Sequence, residues 1–190
     1  MPAYYEVLFI ILKNCGEEMR SKIIVMVLFV LIGSPIFAQA DINSTTIKNI
    51  GDSIPVFTTT SLTGKPFSSE LLKNKVVLIN FWATWCGPCK TELPLLQKNI
   101  YDKIKDANFA VLCISRGEKE EVVKKFIEQN KYTFPVYLDP ETKTYNLFAT
   151  KYIPRNFVIG KDGKIKWVST GFNPQEFNKM IELIEKEVKK

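Results

Sequence analysis

The apolar positions of this chain fall into short blocks separated by polar and turn-forming residues, and the blocks differ in kind. Val76–Trp82 (VVLINFW) and Phe109–Ser115 (FAVLCIS) are unbroken apolar runs of strand formers, the pattern of strands buried on both faces. Glu118–Lys131 carries Val122, Val123, Phe126 and Ile127 at helical spacing with charges between them, which predicts an amphipathic crossover helix. Phe134–Leu138 predicts a short strand and Thr142–Tyr152 a short helix. Arg155–Gly160 and Lys164–Ser169 predict two strands joined by the turn Lys161-Asp162-Gly163. A final amphipathic helix starts at Pro174, with Phe177, Ile181 and Ile184 inward.

Two further blocks complete the pattern. Ile54–Leu62, the turn Thr63-Gly64-Lys65 and Pro66-Phe67-Ser68 predict a small N-terminal hairpin. A helix is predicted from Gly87-Pro88 to about Lys105, because proline is favoured at the first helical position, where its missing N–H would have no partner. Pro94 inside that helix should kink it. The succession predicts an α/β sandwich: a mixed central sheet flanked by helices, with an added N-terminal β-hairpin.

Ahead of this domain, residues 19–40 have a three-part layout. Arg20 and Lys22 are basic, Ile23–Ile32 is an apolar run, and Gly33-Ser34-Pro35 precedes the small residues of Ala38-Gln39-Ala40. This predicts a secretory signal peptide, the alternative being an uncleaved anchor. The run is short against the roughly 20 residues of a spanning helix. Residues 1–18 hold a second apolar stretch, Val7–Leu12, so Met19 is the expected natural start. Cys15 follows Lys13 and Asn14 rather than small residues and is assigned no function. The expected organisation is 1–40 leader and signal peptide or anchor, 41–52 polar linker, and 53–190 folded domain.

Composition narrows the chemistry. The 190 residues are 46% hydrophobic and 12% aromatic, enough for one core. There is no histidine, which excludes Ser-His-Asp and Cys-His catalysis and any His-ligated metal or haem. The net charge of +6 is spread over dispersed lysines, and no nucleic-acid module is present, so no nucleic-acid partner is expected. Beyond residue 40 only Cys86, Cys89 and Cys113 remain, too few for a disulfide framework. One reactive pair plus one bystander fits better, in an exported compartment where disulfides persist.

That pair closes the apolar strand and opens the helix, within Phe81-Trp82-Ala83-Thr84-Trp85-Cys86-Gly87-Pro88-Cys89-Lys90. A lone C-x-x-C serves metal binding, a structural loop or redox work. A protein zinc site needs further ligands that this chain lacks, so no metal is expected. In this context the segment resembles the thioredoxin superfamily, with its W-C-G-P-C hallmark. At a helix N-terminus, unpaired N–H groups stabilise a thiolate, so Cys86 is the expected nucleophile, at least partly exposed. Cys89, one turn on and deeper, is the expected resolving thiol.

Residues 50–190 are similar to one branch, the TlpA/ResA-like exported thiol–disulfide oxidoreductases. Asn80 stands where thioredoxin has a buried aspartate, Glu92 follows Cys89 by three residues, and a β-α stretch is inserted after the Phe109 strand. The resemblance implies a role for Glu92 in tuning the thiols. It also implies a cis peptide at Ile153-Pro154 facing the pair, with Ile153 offering backbone hydrogen bonds to an extended substrate. Trp85 is expected to flank the substrate groove, Trp82 to be core, and Cys113 to be buried and inert.

The implied activity is reduction of protein disulfides, in the periplasm or cell envelope, with no cofactor beyond the redox-active Cys86–Cys89 disulfide. Implied partners are protein substrates such as apocytochrome c, and a membrane thiol donor as electron source. The N-terminal segment, if uncleaved, is expected to tether the domain to the membrane. Two alternatives stand beside this. A peroxiredoxin-like peroxidase needs Thr three residues before its cysteine, where Ala83 stands, with Thr84 one place late. A non-enzymatic copper-delivery module usually adds a histidine, which is absent.

Overall fold

The computed structural model describes residues 44–190, so the signal segment and the leader before it lie outside the described residues. Seven strands form one sheet in the order β2-β1-β5-β4-β3-β6-β7. The strands are β1 (Thr58–Ser61), β2 (Pro66–Ser68), β3 (Val76–Trp82), β4 (Phe109–Arg116), β5 (Val136–Asp139), β6 (Arg155–Ile159) and β7 (Ile165–Thr170). The helices are α1 (Gly87–Leu96), α2 (Glu120–Asn130) and α3 (Pro174–Val188). β3, β4 and β5 run parallel, whereas β6, β7, β1 and β2 join antiparallel, so the sheet is mixed as its pattern predicts.

β3 lies inside the sheet with every residue buried, which is why its sequence does not alternate. Its side chains nevertheless sort by the two-residue period of a strand. Val76, Leu78 and Trp82 enter one core with Leu93 and Leu96 of α1 and Phe177, Met180 and Ile184 of α3. Val77, Ile79 and Phe81 enter the other, with Tyr145, Phe148 and Phe157. Phe81 meets Tyr145 edge-on at 5.3 Å between ring centroids and Phe157 at 6.2 Å.

Three expectations shift. Thr142–Tyr152 forms only a 3-10 turn at Tyr145–Leu147 instead of a helix. Its backbone groups find partners elsewhere: the buried Asp139 carboxylate accepts from the N–H groups of Thr144 and Tyr145, and the Phe148 carbonyl accepts from Ile47 and Lys48. The helix opened at Gly87 changes at Gln97 from α to a π-helical turn, Gln97–Tyr101, where Asp102 N–H bonds Gln97 O. Pro94 removes one N–H from the ladder just upstream, and the Gln97 side chain bonds Thr133 and Phe134 on another segment. The crossover helix starts later, at Glu120, leaving Glu118 outside it, and Lys131 ends it in the left-handed region at φ 55°.

Residues 44–52, which composition reads as linker, lie hydrogen-bonded along the domain. Thr46 bridges Ala149, Gly51 N–H donates to Ile165 O, and Ile165 N–H donates to Asp52 O. Arg155, fully buried on β6, donates to the hydroxyls of Thr45 and Thr46 and to Lys151 O.

Candidate active site

The sharp exit from β3 places the cysteines. After Trp82 the chain turns through Ala83–Trp85, with Cys86 N–H donating to Ala83 O at 3.2 Å. Cys86 is then the N-cap of α1 in an extended conformation, φ −81° and ψ 111°, and its sulfur accepts from Cys89 N–H at 3.2 Å. Cys86 and Cys89 are joined in a disulfide, with Cα atoms 5.3 Å apart. Cys89 is fully buried. Cys86 is 4% exposed, less than the partly open nucleophile expected. The reason is local: the disulfide ties its sulfur to the fully buried Cys89, and Ile153 O stands 3.6 Å from it. Trp85 beside it is 63% exposed, whereas Trp82 is core.

The facing loop is held from several sides. Ile153–Pro154 is cis. Tyr145 donates its hydroxyl to Tyr152 O at 2.7 Å, and Gly171 N–H donates to Pro154 O at 2.8 Å. Arg155, which follows Pro154, donates to Lys151 O at 3.1 Å. Ile153 therefore presents its carbonyl to Cys86 on a braced segment; in the dithiol form the Cys86 thiol has a proton to donate there.

Beneath the pair runs a row of polar side chains. Register aligns Cys113 on β4, Asn80 on β3 and Asn156 on β6. Asn80 Nδ2 donates to Asn156 Oδ1 at 2.8 Å, and Asn156 Nδ2 donates to Glu92 Oε1 at 2.6 Å. Glu92, 1% exposed, shares the inner face of α1 with Cys89 at i+3. Burial raises its carboxyl from 4.5 to about 7, and the Asn156 bond opposes part of that rise. Burial, reinforced by Glu92, also pushes the Cys113 thiol well above its ordinary range.

A second carboxylate shapes the approach to Cys86. Glu118 accepts from Thr84 N–H at 2.8 Å, from the Thr84 hydroxyl and from the Ser115 hydroxyl at 2.9 Å. The structure thus gathers Cys86, Cys89, Glu92, Trp85, Ile153 and Pro154 at one end of the sheet. Asn156 and Glu118 escaped the sequence reading. Asn156 carried a faint signal, an amide at the head of the apolar run Phe157-Val158-Ile159; Glu118 carried none.

Two cysteines that exchange a disulfide across one helical turn, on this mixed sheet, define a thioredoxin-like thiol–disulfide oxidoreductase. The chain belongs to the AhpC/TSA family, whose sequence pattern matches residues 50–168. It is similar to the thiol–disulfide oxidoreductase ResA of Bacillus cereus, 38% identical over 116 residues, 61% of this chain and 66% of that one. ResA of Geobacillus thermodenitrificans is 30% identical over 165 residues, 87% of this chain and 94% of that protein. The solution structure of a candidate protein disulfide isomerase from Bacteroides thetaiotaomicron superposes with a TM-score of 0.74 at 36% identity, covering 77% of this chain and 94% of that one.

Proposed function

We propose that the protein is an exported reductase of protein disulfides, with Cys86 as nucleophile, Cys89 as resolving thiol and Glu92 as the group that takes and returns a proton. The observation that carries this reading is the asymmetry of the pair. Cys86 caps α1, where backbone N–H groups favour a thiolate, and lies against Ile153 O beside the exposed Trp85; Cys89 is sealed beneath it.

In the reduced protein the Cys86 thiolate attacks one sulfur of a substrate disulfide. That bond breaks, and the departing substrate sulfur takes the electron pair and a proton from water. Cys89 then gives its proton to Glu92 and attacks Cys86 Sγ. The second substrate sulfur leaves with the electron pair and takes the proton from Glu92. Two electrons and two protons have reached the substrate, and the Cys86–Cys89 disulfide is the product. Trp85, Ile153 and Pro154 line the substrate side, with Ile153 supplying backbone hydrogen bonds.

Gly87-Pro88 is the dipeptide of thioredoxin, poised at ~−270 mV against ~−120 mV for the oxidant DsbA, which favours reduction. Sustained turnover needs a membrane thiol donor, and no cofactor beyond the disulfide. Export through residues 19–40, with a tether if that segment is retained, places the work in the periplasm or cell envelope. Apocytochrome c cysteines and misoxidised envelope proteins are the substrates of that class.

Trapping with Cys89→Ser tests the assignment. Substrates should accumulate on Cys86 as mixed disulfides and be released by dithiothreitol. Trapping by Cys86→Ser instead would reverse the roles, and reductase activity surviving Cys86→Ser would end the proposal.

A further inference from the structure

We propose that Asn156 is a positioning residue of the redox centre: it holds one oxygen of Glu92 and leaves the other as the proton acceptor for Cys89. This rests on the reading of Glu92 given above.

Three observations carry it. Glu92 Oε1 is bonded to Asn156 Nδ2 at 2.6 Å, while the buried Oε2 has no hydrogen-bond partner among the described residues. The two oxygens are therefore already distinguished, one held and one open. The Asn156 amide bridges its two neighbours: its oxygen accepts from Asn80 Nδ2 at 2.8 Å and its nitrogen donates to the carboxylate, whose charge sets that orientation. Turned the other way, it would set oxygen against oxygen. Finally, β3–β6 register places Asn80 opposite Asn156, so two interior strands hold the device.

The surroundings leave this amide little competition. β3 and β6 contribute neutral amides, β7 contributes Ser169 Oγ at 3.5 Å from Asn156, and α3 contributes Phe177, Met180 and Ile184 to the same core. The titratable groups nearest Glu92 are Cys89 on α1 and Cys113 on β4, and burial together with the Glu92 charge keeps the Cys113 thiol protonated. A donor to Oε1 favours the carboxylate, so Asn156 offsets part of the cost of burying that charge. Losing the donor should make Glu92 a tighter proton holder. Cys89 would then surrender its proton only at higher pH.

The test is the pH profile of single-turnover disulfide reduction. Asn156→Leu and the milder Asn156→Ser should move the midpoint upward by about one pH unit for Leu and less for Ser, slowing reduction at pH 6 about tenfold for Leu. In a Glu92→Gln background neither substitution should shift it further. In the wild-type protein, the Asn156 side-chain amide resonances should titrate together with the Glu92 carboxyl carbon. A lowered melting temperature with an unmoved midpoint, or amide resonances indifferent to Glu92, would overturn the inference. If Glu92→Gln itself leaves the profile unchanged, the role of Glu92 fails, a separate result from Asn156 failing alone.

Discussion

Glu118 grips Thr84 with both carboxylate oxygens, one on the backbone N–H at 2.8 Å and one on the hydroxyl at 2.5 Å. Thr84 sits two residues before Cys86, so this clamp sets the turn that delivers the cysteine to the helix N-terminus. Glu118→Ala removes the acceptor for three donors, two of them on Thr84. It should destabilise the fold by about 2 kcal/mol, the scale of lost hydrogen bonds to a charged group. Glu118→Gln should cost less. Urea unfolding measures the loss, and an unchanged urea midpoint in Glu118→Ala would refute the clamp.

Glu92 gives stability a defined pH dependence. Its carboxyl titrates near 4.5 in the unfolded chain and near 7 in the folded protein, so the native state holds the proton more tightly. The stabilising contribution is full below about 4.5 and is lost as pH rises through about 7. At ~1.4 kcal/mol per unit the loss is on the order of 3 kcal/mol. Glu92→Gln should flatten this slope and be the more stable protein at pH 8. A wild-type stability curve level between pH 5 and 8 contradicts the burial argument.

Cys113 is fully buried with its thiol pushed up by burial and by Glu92. Iodoacetamide should label Cys86 once the disulfide is reduced, and leave Cys113 untouched until denaturant is added. Mass spectrometry of the native digest decides this. Cys113→Ala should retain reductase activity within about twofold, since the thiol takes no part in exchange.

The family match invites a peroxidase assay. Ala83 stands three residues before Cys86, and the Thr84 hydroxyl is engaged by Glu118 rather than free to orient a peroxide. Peroxide consumption should not exceed the slow background of a thiolate. Rapid turnover of hydrogen peroxide with dithiothreitol as donor would restore the peroxidase reading.

Arg155→Lys should look conservative and behave otherwise. The guanidinium reaches Thr45, Thr46 and Lys151 O at once, a fork that an ammonium does not reproduce. The variant should lose about 1–3 kcal/mol and become susceptible to trypsin at Lys48. Unchanged resistance at Lys48 would show that the backbone bonds of residues 47–52 suffice.

Amino-acid order alone determined the site's nucleus. Cys86 and Cys89 stand four and seven residues past a strand that reads as buried in any context, and Pro88 sets the helix start, because these signals are local and short. The absence of histidine removed most rival chemistries without any structure. Tertiary structure decided what surrounds the pair. Asn156 reaches Glu92 across 64 residues only because β6 pairs antiparallel with β3, and no local pattern encodes that register. Likewise Glu118 reads as the first residue of a helix, yet it lies before α2 with its carboxylate on Thr84. The Thr142–Tyr152 helix dissolved because Asp139 and the N-terminal segment supplied better partners for its backbone. Local sequence sets what each segment prefers; long-range pairing decides which polar groups end up buried together, and at this site it sets Glu92 beside Asn156 and Asn80.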